Sequence, residues 1–545
     1  MPEPRRRPVA YPPPPRPIVP ALLPWLHRAC PRRAARPRAR LARGLATLCV
    51  LTLAGLSAPA QAQERPLVVM LGSEPATLDP LRATDADGVR ISHQLIHETF
   101  VRLGDDLTVQ PGLARWERLG PTRYRFRLPP GRRFHSGAPL TAADAVSTLE
   151  RFMEPALGSP YGGVLRDEIA ALRQTGALEF EVELKAPYGG FLAHLILPVL
   201  SQAPGGQSTI WGDLNGTGPF RFERRDVGEL ALVRDDAHPR PAGVARVVFK
   251  IVHDESTRLL KVQKGDIDLA INVLPLDKLA RFRGGPLQAR YTLAEAPGLS
   301  FQYLGFNLRD PLLADVRVRR SIAHAINVPL LIERRQLGHS QPATGLMPER
   351  SPYAAPELKP YAYDPAAAAR LLDAAGHPVR DGRRFRLSYK TSTDRSAVIQ
   401  ARVIQNDLRA VGIDVEVRSY EWATYYSDIR KGNFQLYSLR WIGVSDPDFL
   451  HELLHSGKGP PDGRNRGGYA NPRVDALLEA ARVAPDAERR AELYREVHRI
   501  AHAELPYLPL WHNHNVAVVA RDLEGFRLHP AGGFEHLPLV RWARP

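Results

Sequence analysis

The sequence predicts an α/β protein of two or more packed domains, preceded by an export leader. Three observations lead there. Strand-like and helix-like runs alternate along the chain, the length and apolar content call for more than one core, and the first sixty residues are unlike the rest. At 545 residues, 44% hydrophobic and 24% charged, the chain is too long for one compact domain and too apolar for a disordered one.

Residues 1–62 hold eleven arginines, Arg5 to Arg43, against the single acid Glu3. They carry +10 of the formal +16, so the remainder sits near +6 and offers no global basic field for gripping nucleic acid. A proline run at 12–15 and an Arg/Ala/Pro-rich stretch at 29–40 precede thirteen uncharged residues, 44–56, and then Ala58-Pro59-Ala60-Gln61-Ala62. A basic flank, a short apolar stretch and an Ala-x-Ala exit form a secretory signal cut after Ala62; a spanning helix needs roughly 20 apolar residues. The stretch before Arg28 is longer than such a signal requires, which points to a translation start further downstream. Cys30 and Cys49 both leave with the leader, so the exported chain has no disulfide, thiol nucleophile or cysteine metal site. Ala46-Thr47-Leu48 lacks the small residue that lipidation of Cys49 would need.

Strands are expected at Leu67–Leu71 and at 124–128, 180–184, 246–252, 384–389, 413–419 and 434–441, where apolar residues alternate or run together. Thr141 and Asp144 have capping-box spacing at the head of a helix reaching about Phe152. Asp364-Pro365 opens a helix that Gly376 closes, and 396–410 is amphipathic and ends at Gly412. Asn471-Pro472 opens another helix, and 486–504 is charged on one face and stops before Pro506. The stretches 204–219 and 457–468 read as loops. Arginines at 123–133 and 317–320 alternate with apolar positions, as solvated strand and helix faces do.

A series of segments then appears in order: Glu74-Pro75-Ala76-Thr77-Leu78-Asp79-Pro80, Gln94-Leu95-Ile96-His97-Glu98, Phe134-His135-Ser136-Gly137, Gly216-Thr217-Gly218-Pro219-Phe220 and Gly265-Asp266-Ile267-Asp268. Asn307, Asp315-Val316-Arg317, Trp441 with Asp446-Pro447-Asp448, Tyr469-Ala470-Asn471-Pro472 and Pro506-Tyr507-Leu508-Pro509-Leu510 complete it. In this order the chain resembles the extracellular solute-binding proteins of family 5, the dipeptide, oligopeptide and nickel uptake family, over essentially its whole exported length. The resemblance implies a two-lobed periplasmic binding protein of type II, in its large cluster C form, with two hinge crossings and an extra subdomain in lobe one. Lobe one would comprise 63–304 (subdomain about 100–214) with a C-terminal return at 510–545, and lobe two 305–509. Phe306, Asn307, Pro506 and Leu510 would be the hinges. It implies a periplasmic monomer that captures a peptide or similar polar solute by lobe closure. Its partners would be an inner-membrane ABC permease and the ATPase subunits. No enzymatic activity, cofactor, resident metal or nucleic acid is expected.

In peptide-binding relatives a carboxylate a few residues past the tryptophan equivalent to Trp441 grips the free ammonium group of the ligand. Here the best register puts Val444 at that place, with Asp446 two residues later. A valine cannot neutralise a buried ammonium. Either Asp446 takes over, or the ligand is not an ordinary free-amine peptide. Trp441, Val444, Asp446 and Asp448 form the central expected ligand-binding set. Arg395 is added for an anionic ligand end, Trp422 and Tyr425 for cleft wall, and Glu98 from the N-terminal segment. Within the family a sugar, opine or chelated-metal ligand stays open.

Two histidine motifs stand apart. His451-Glu452-Leu453-Leu454-His455 matches the zincin pattern, two histidines one helical turn apart with a glutamate between, and Glu479 lies at a spacing compatible with a third ligand. An exported zinc metallopeptidase is therefore the alternative from a different class. It is set aside because the motif falls inside a segment the resemblance already covers. His512-Asn513-His514 has strand spacing that would put both rings on one face; this could suit a metal pair, but surface or hinge-lining histidines are the simpler reading. No phosphate loop or Gly-x-Ser-x-Gly elbow is present.

Overall fold

The computed structural model describes residues 64–202, 208–209, 212–484 and 486–543. The leader with its cysteines and Ala62, and part of the loop-rich stretch 204–219, lie outside the described residues. Among the described residues the frame is an eleven-stranded mixed sheet. One end runs Phe220–Asp226, Glu229–Arg234, Arg246–Ile251, Leu67–Leu71 and Leu269–Ile271; the other runs Leu436–Trp441, Phe385–Ser392 and Ile413–Tyr420. Between them lie Tyr291–Phe306 and Tyr507–Ala520, paired antiparallel from Tyr291 opposite Ala520 to Gly305 opposite Tyr507. Each serves two cores. Tyr291 and Val516 to Ala520 pack with Leu67, Val69 and Phe249, whereas Leu304, Phe306, Leu508 and Trp511 pack with Ile322, Leu387 and Ile404. The ladder breaks register between Pro297 and Phe301, so the change of core coincides with a bulge.

A third core lies under a four-stranded antiparallel sheet, ordered Arg115–Arg118, Arg123–Arg127, Glu179–Leu184, Ile169–Gln174, with the helices Ala142–Met153 and Gly162–Glu168. The alternation of Arg123–Arg127 explains it. Tyr124 and Phe126 turn inward, Phe126 stacking on Phe180 at 5.1 Å, while Arg125 and Arg127 pair with Glu181 and Glu179 outside. A fourth core joins Phe301, Tyr303 and Tyr437 to the helices Phe449–Leu454, Pro472–Arg482 and Ala487–Glu504. Each buried Leu, Ile or Phe contributes about 1.5–3 kcal/mol to the cluster it joins. The chain is thus a two-lobed α/β binding fold with an added sheet layer.

The expected caps form: Thr141 and Asp144 make the capping box, and Asp364, Asn471 and Asp486 each accept from first-turn amides. One surface assignment is corrected. Arg319 is only 4% exposed and donates to the carbonyls of Leu313, Ala314, Glu504 and Leu505. It closes the end of the helix Ala487–Glu504, whose last carbonyls lack intrahelical partners, and burial lowers its pKa. No helix among the described residues is long and apolar enough to cross a membrane.

Candidate functional site

A cavity of about 930 Å³ opens between the third and fourth cores. One wall is the helix Gly162–Glu168 with the segment 185–194. The other is the loop that follows Leu436–Trp441, together with Glu452, Arg464, Glu479 and Arg482. Gly443, at φ +70°, turns the chain back after Trp441, a conformation that favours glycine. The Val444 N–H then donates to the Leu299 carbonyl at 3.0 Å. Asp446 Oδ1 accepts from the Asp448 N–H at 2.8 Å, and Pro447 leads into the helix Phe449–Leu454.

Of the residues singled out from sequence, Trp441, Val444, Asp446 and Asp448 all line this cavity. Trp441 lies parallel to Tyr303 at 6.4 Å, meets Phe449 edge-on, and has the guanidinium groups of Arg464 and Arg466 over its ring. Val444 is 5% exposed and belongs to the fourth core. Asp446 is gripped through both oxygens by Arg490, at 3.0 and 3.2 Å, and the Arg490 side chain is 6% exposed. Burial works against that guanidinium's charge, but Asp446 and the neighbouring Tyr494 and Tyr353 hold its pKa above the ordinary value. Asp448 accepts from Tyr188 at 2.9 Å and Tyr494 at 3.2 Å and pairs with Arg482 at 3.2 Å. Burial, then the Asp448 charge, pushes the Tyr188 phenol up, so it remains a donor.

The others lie elsewhere. Arg395 is exposed at the start of the helix Arg395–Ala410, and Trp422, 56% exposed, stacks on Tyr426. Tyr425 is buried and donates to the Ser438 carbonyl at 2.7 Å. Glu98 pairs with Arg132 at 2.8 Å. None of these four is among the residues lining the cavity. Phe306 and Leu510 are inside the second core, and the Asn307 side chain donates to Phe434 O at 2.7 Å. Pro506 precedes the strand Tyr507–Ala520.

Sequence reasoning passed over the residues that join the walls. Tyr188 reaches across to Asp448, the Gly189 N–H donates to the Arg482 carbonyl at 2.6 Å, and the Arg482 guanidinium covers the Tyr188 ring. Arg490 did carry a signal, because it sits at the helical spacing of Tyr494, Val497 and Ala501, where an arginine among apolar residues implies a buried partner. On the other wall His194 pairs with Glu168 at 2.9 Å. Burial lowers the imidazole's pKa, but Glu168 outweighs it and the net shift is upward.

Of the histidine motif only Glu452 lines the cavity, together with Glu479. His451 Nε2 lies 2.9 Å and His455 Nε2 3.4 Å from Glu479 Oε1. That hydrogen bond to His451, more than burial, sets the Glu479 carboxyl below its usual range. Glu452 is paired with Lys458 at 2.8 Å; burial would raise its carboxyl, and Lys458 brings it below the ordinary value.

Two lobes sharing a pair of long strands, with a cavity walled from opposite sides, make up the fold of the periplasmic-type binding proteins. The description "Bacterial extracellular solute-binding proteins, family 5 Middle" matches residues 108–461, and the chain belongs to that family. It is 29% identical over 531 residues to Di/tripeptide-binding protein 2 of Pseudomonas aeruginosa, covering 91% of this chain and 98% of that one. HbpA2 from Haemophilus parasuis has the same fold, with a TM-score of 0.78, 24% identity, and coverage of 88% of this chain and all of its own. The periplasmic binding protein DppA from Helicobacter pylori, solved with the peptide STSA, superposes with a TM-score of 0.66 at 25% identity, covering 88% and 98%.

Proposed function

We propose that the protein is the periplasmic receptor of an ATP-driven importer and closes on a short peptide or similar polar solute held in the 930 Å³ cavity. The observation that carries this is the position of Trp441 and the 442–448 loop opposite a wall built on a different core. That size suits a drug-sized or small-peptide ligand. Closure needs two bodies, and we place the crossings where the long strands change core, at 297–301 and 512–515. On this reading the leader exports the chain by cleavage near Ala62, and the closed form is what the permease recognises.

Asp446 is committed to Arg490 and Val444 is buried, so recognition of a free ammonium group does not rest on either. Thermal-shift and calorimetric screening of matched free and N-acetylated di- to tetrapeptides tests this. Peptides should raise the melting temperature by mass action, and acetylation should cost less than about tenfold in affinity. A strict free-amine requirement that disappears in Asp446→Asn would return Asp446 to the anchor role.

A further inference from the structure

We propose that His451, His455 and Glu479 form a divalent transition-metal site beside the cavity, which Glu479 lines, with a coordination position left for an outside donor. The ligand atoms of the three side chains all lie within 4.8 Å of one another. Around a tetrahedral zinc with bonds near 2.0–2.1 Å, ligand atoms stand about 3.3 Å apart. The distances of 2.9 and 3.4 Å from Glu479 Oε1 to the two imidazoles bracket that value. The set is built from two elements. His451 lies on the helix Phe449–Leu454, His455 ends it one turn later, and Glu479 lies on the helix Pro472–Arg482. Asp475, one turn before Glu479, fastens the elements together by accepting from the Ser456 N–H at 2.9 Å and Ser456 Oγ at 2.5 Å. The cage is therefore held by a contact that does not involve its ligands.

Two imidazoles and a carboxylate suit zinc, nickel or copper rather than calcium or magnesium. Three protein ligands leave a position for an outside donor, and Glu479, more than half exposed, lines the cavity with Glu452. Glu452 is held by Lys458, which leaves the ion a binding role: it would take an amine, carboxylate or imidazole of the captured solute. This rests on the cavity being the solute site. Metal binding has two visible costs, the first being the 2.9 Å hydrogen bond between His451 Nε2 and Glu479 Oε1. His455 Nδ1 accepts from the Gly457 N–H at 3.0 Å, so coordination through Nε2 moves the ring proton to Nδ1 and breaks that bond.

The test is titration of chelator-stripped full chain with Zn²⁺ alone, followed by calorimetry and equilibrium dialysis, with Co²⁺ absorption reporting the ligand set. Saturable binding near one ion per chain is expected. It should weaken by more than about tenfold in Glu479→Gln and in His455→Gln, and stay unchanged in the exposed His253→Gln. No saturable binding, or equal binding in all variants, overturns the site. Peptide titrations with chelator and with Zn²⁺ separate the two readings. Peptide binding without any zinc site removes only the metal. A zinc site with no peptide response in either condition keeps the metal and removes the peptide reading.

Discussion

The two walls of the cavity are built by opposite means. The wall carrying the helix Gly162–Glu168 rests on an aromatic core of Phe126, Phe152, Phe180 and Phe191, and its charged groups form separate, half-buried pairs such as Glu168–His194. The wall carrying Trp441 is organised by charge: Arg490 holds Asp446, Asp446 holds the Asp448 amide, and Asp448 gathers Tyr188, Tyr494 and Arg482. An apolar core fixes the shape of a wall and leaves its face free to vary. A buried ion network fixes the face itself, because each charge depends on its partner. On the proposed reading, specificity is expected to rest on the second wall, with the first as the surface that closes on it.

Substitutions that cut the second wall's network should therefore exceed those on the first. Arg490→Ala strands the Asp446 carboxylate and should cost about 3 kcal/mol in urea unfolding, part of it recovered by adding Asp446→Asn. His498, behind the second wall, and His194, on the first, should respond to pH in opposite directions. Burial lowers His498 to about 4, so it stays neutral when folded while the unfolded chain protonates near the ordinary 6.5. Its contribution, about 3 kcal/mol, is complete at neutral pH and lost as pH falls from about 6.5 towards about 4. His194, raised by Glu168, contributes below about 6.5 and loses that contribution as pH rises through its folded pKa. Stability–pH curves of His498→Gln and His194→Gln should flatten on the acid and the alkaline side respectively. Tyr188→Phe removes one of the hydrogen bonds joining the walls and should cost about 1–2 kcal/mol. Glu168→Gln, confined to the first wall, should cost less than about 1 kcal/mol by thermal denaturation.

The strands with clean alternation or short apolar runs were legible: Leu67–Leu71 falls where it is expected, and the expected 413–419 is Ile413–Tyr420. The capped helices were legible too, because Thr141, Asp364, Asn471 and Asp486 carry the chemistry of a helix start. The central pair Tyr291–Phe306 and Tyr507–Ala520 was not. Pro297, Gly298 and Pro509 interrupt their pattern, and only pairing with each other makes a bulged strand of either. Of the cavity lining, the loop 441–448 could be read because the resemblance carried Trp441 and the residues after it onto this sequence. Tyr188, Arg482 and Arg490 come from distant segments, and what they do depends on tertiary contacts that local sequence does not encode.

Solute capture between the walls is tested most directly by calorimetric titration of the tightest-binding screened peptide into wild type, Trp441→Ala and Ala186→Trp. The first variant strips an aromatic surface from one side of the cavity, and the second fills it from the other. Affinity should fall by more than about tenfold in both, with unchanged far-ultraviolet circular dichroism. Wild-type affinity in both variants would place the solute outside this cavity.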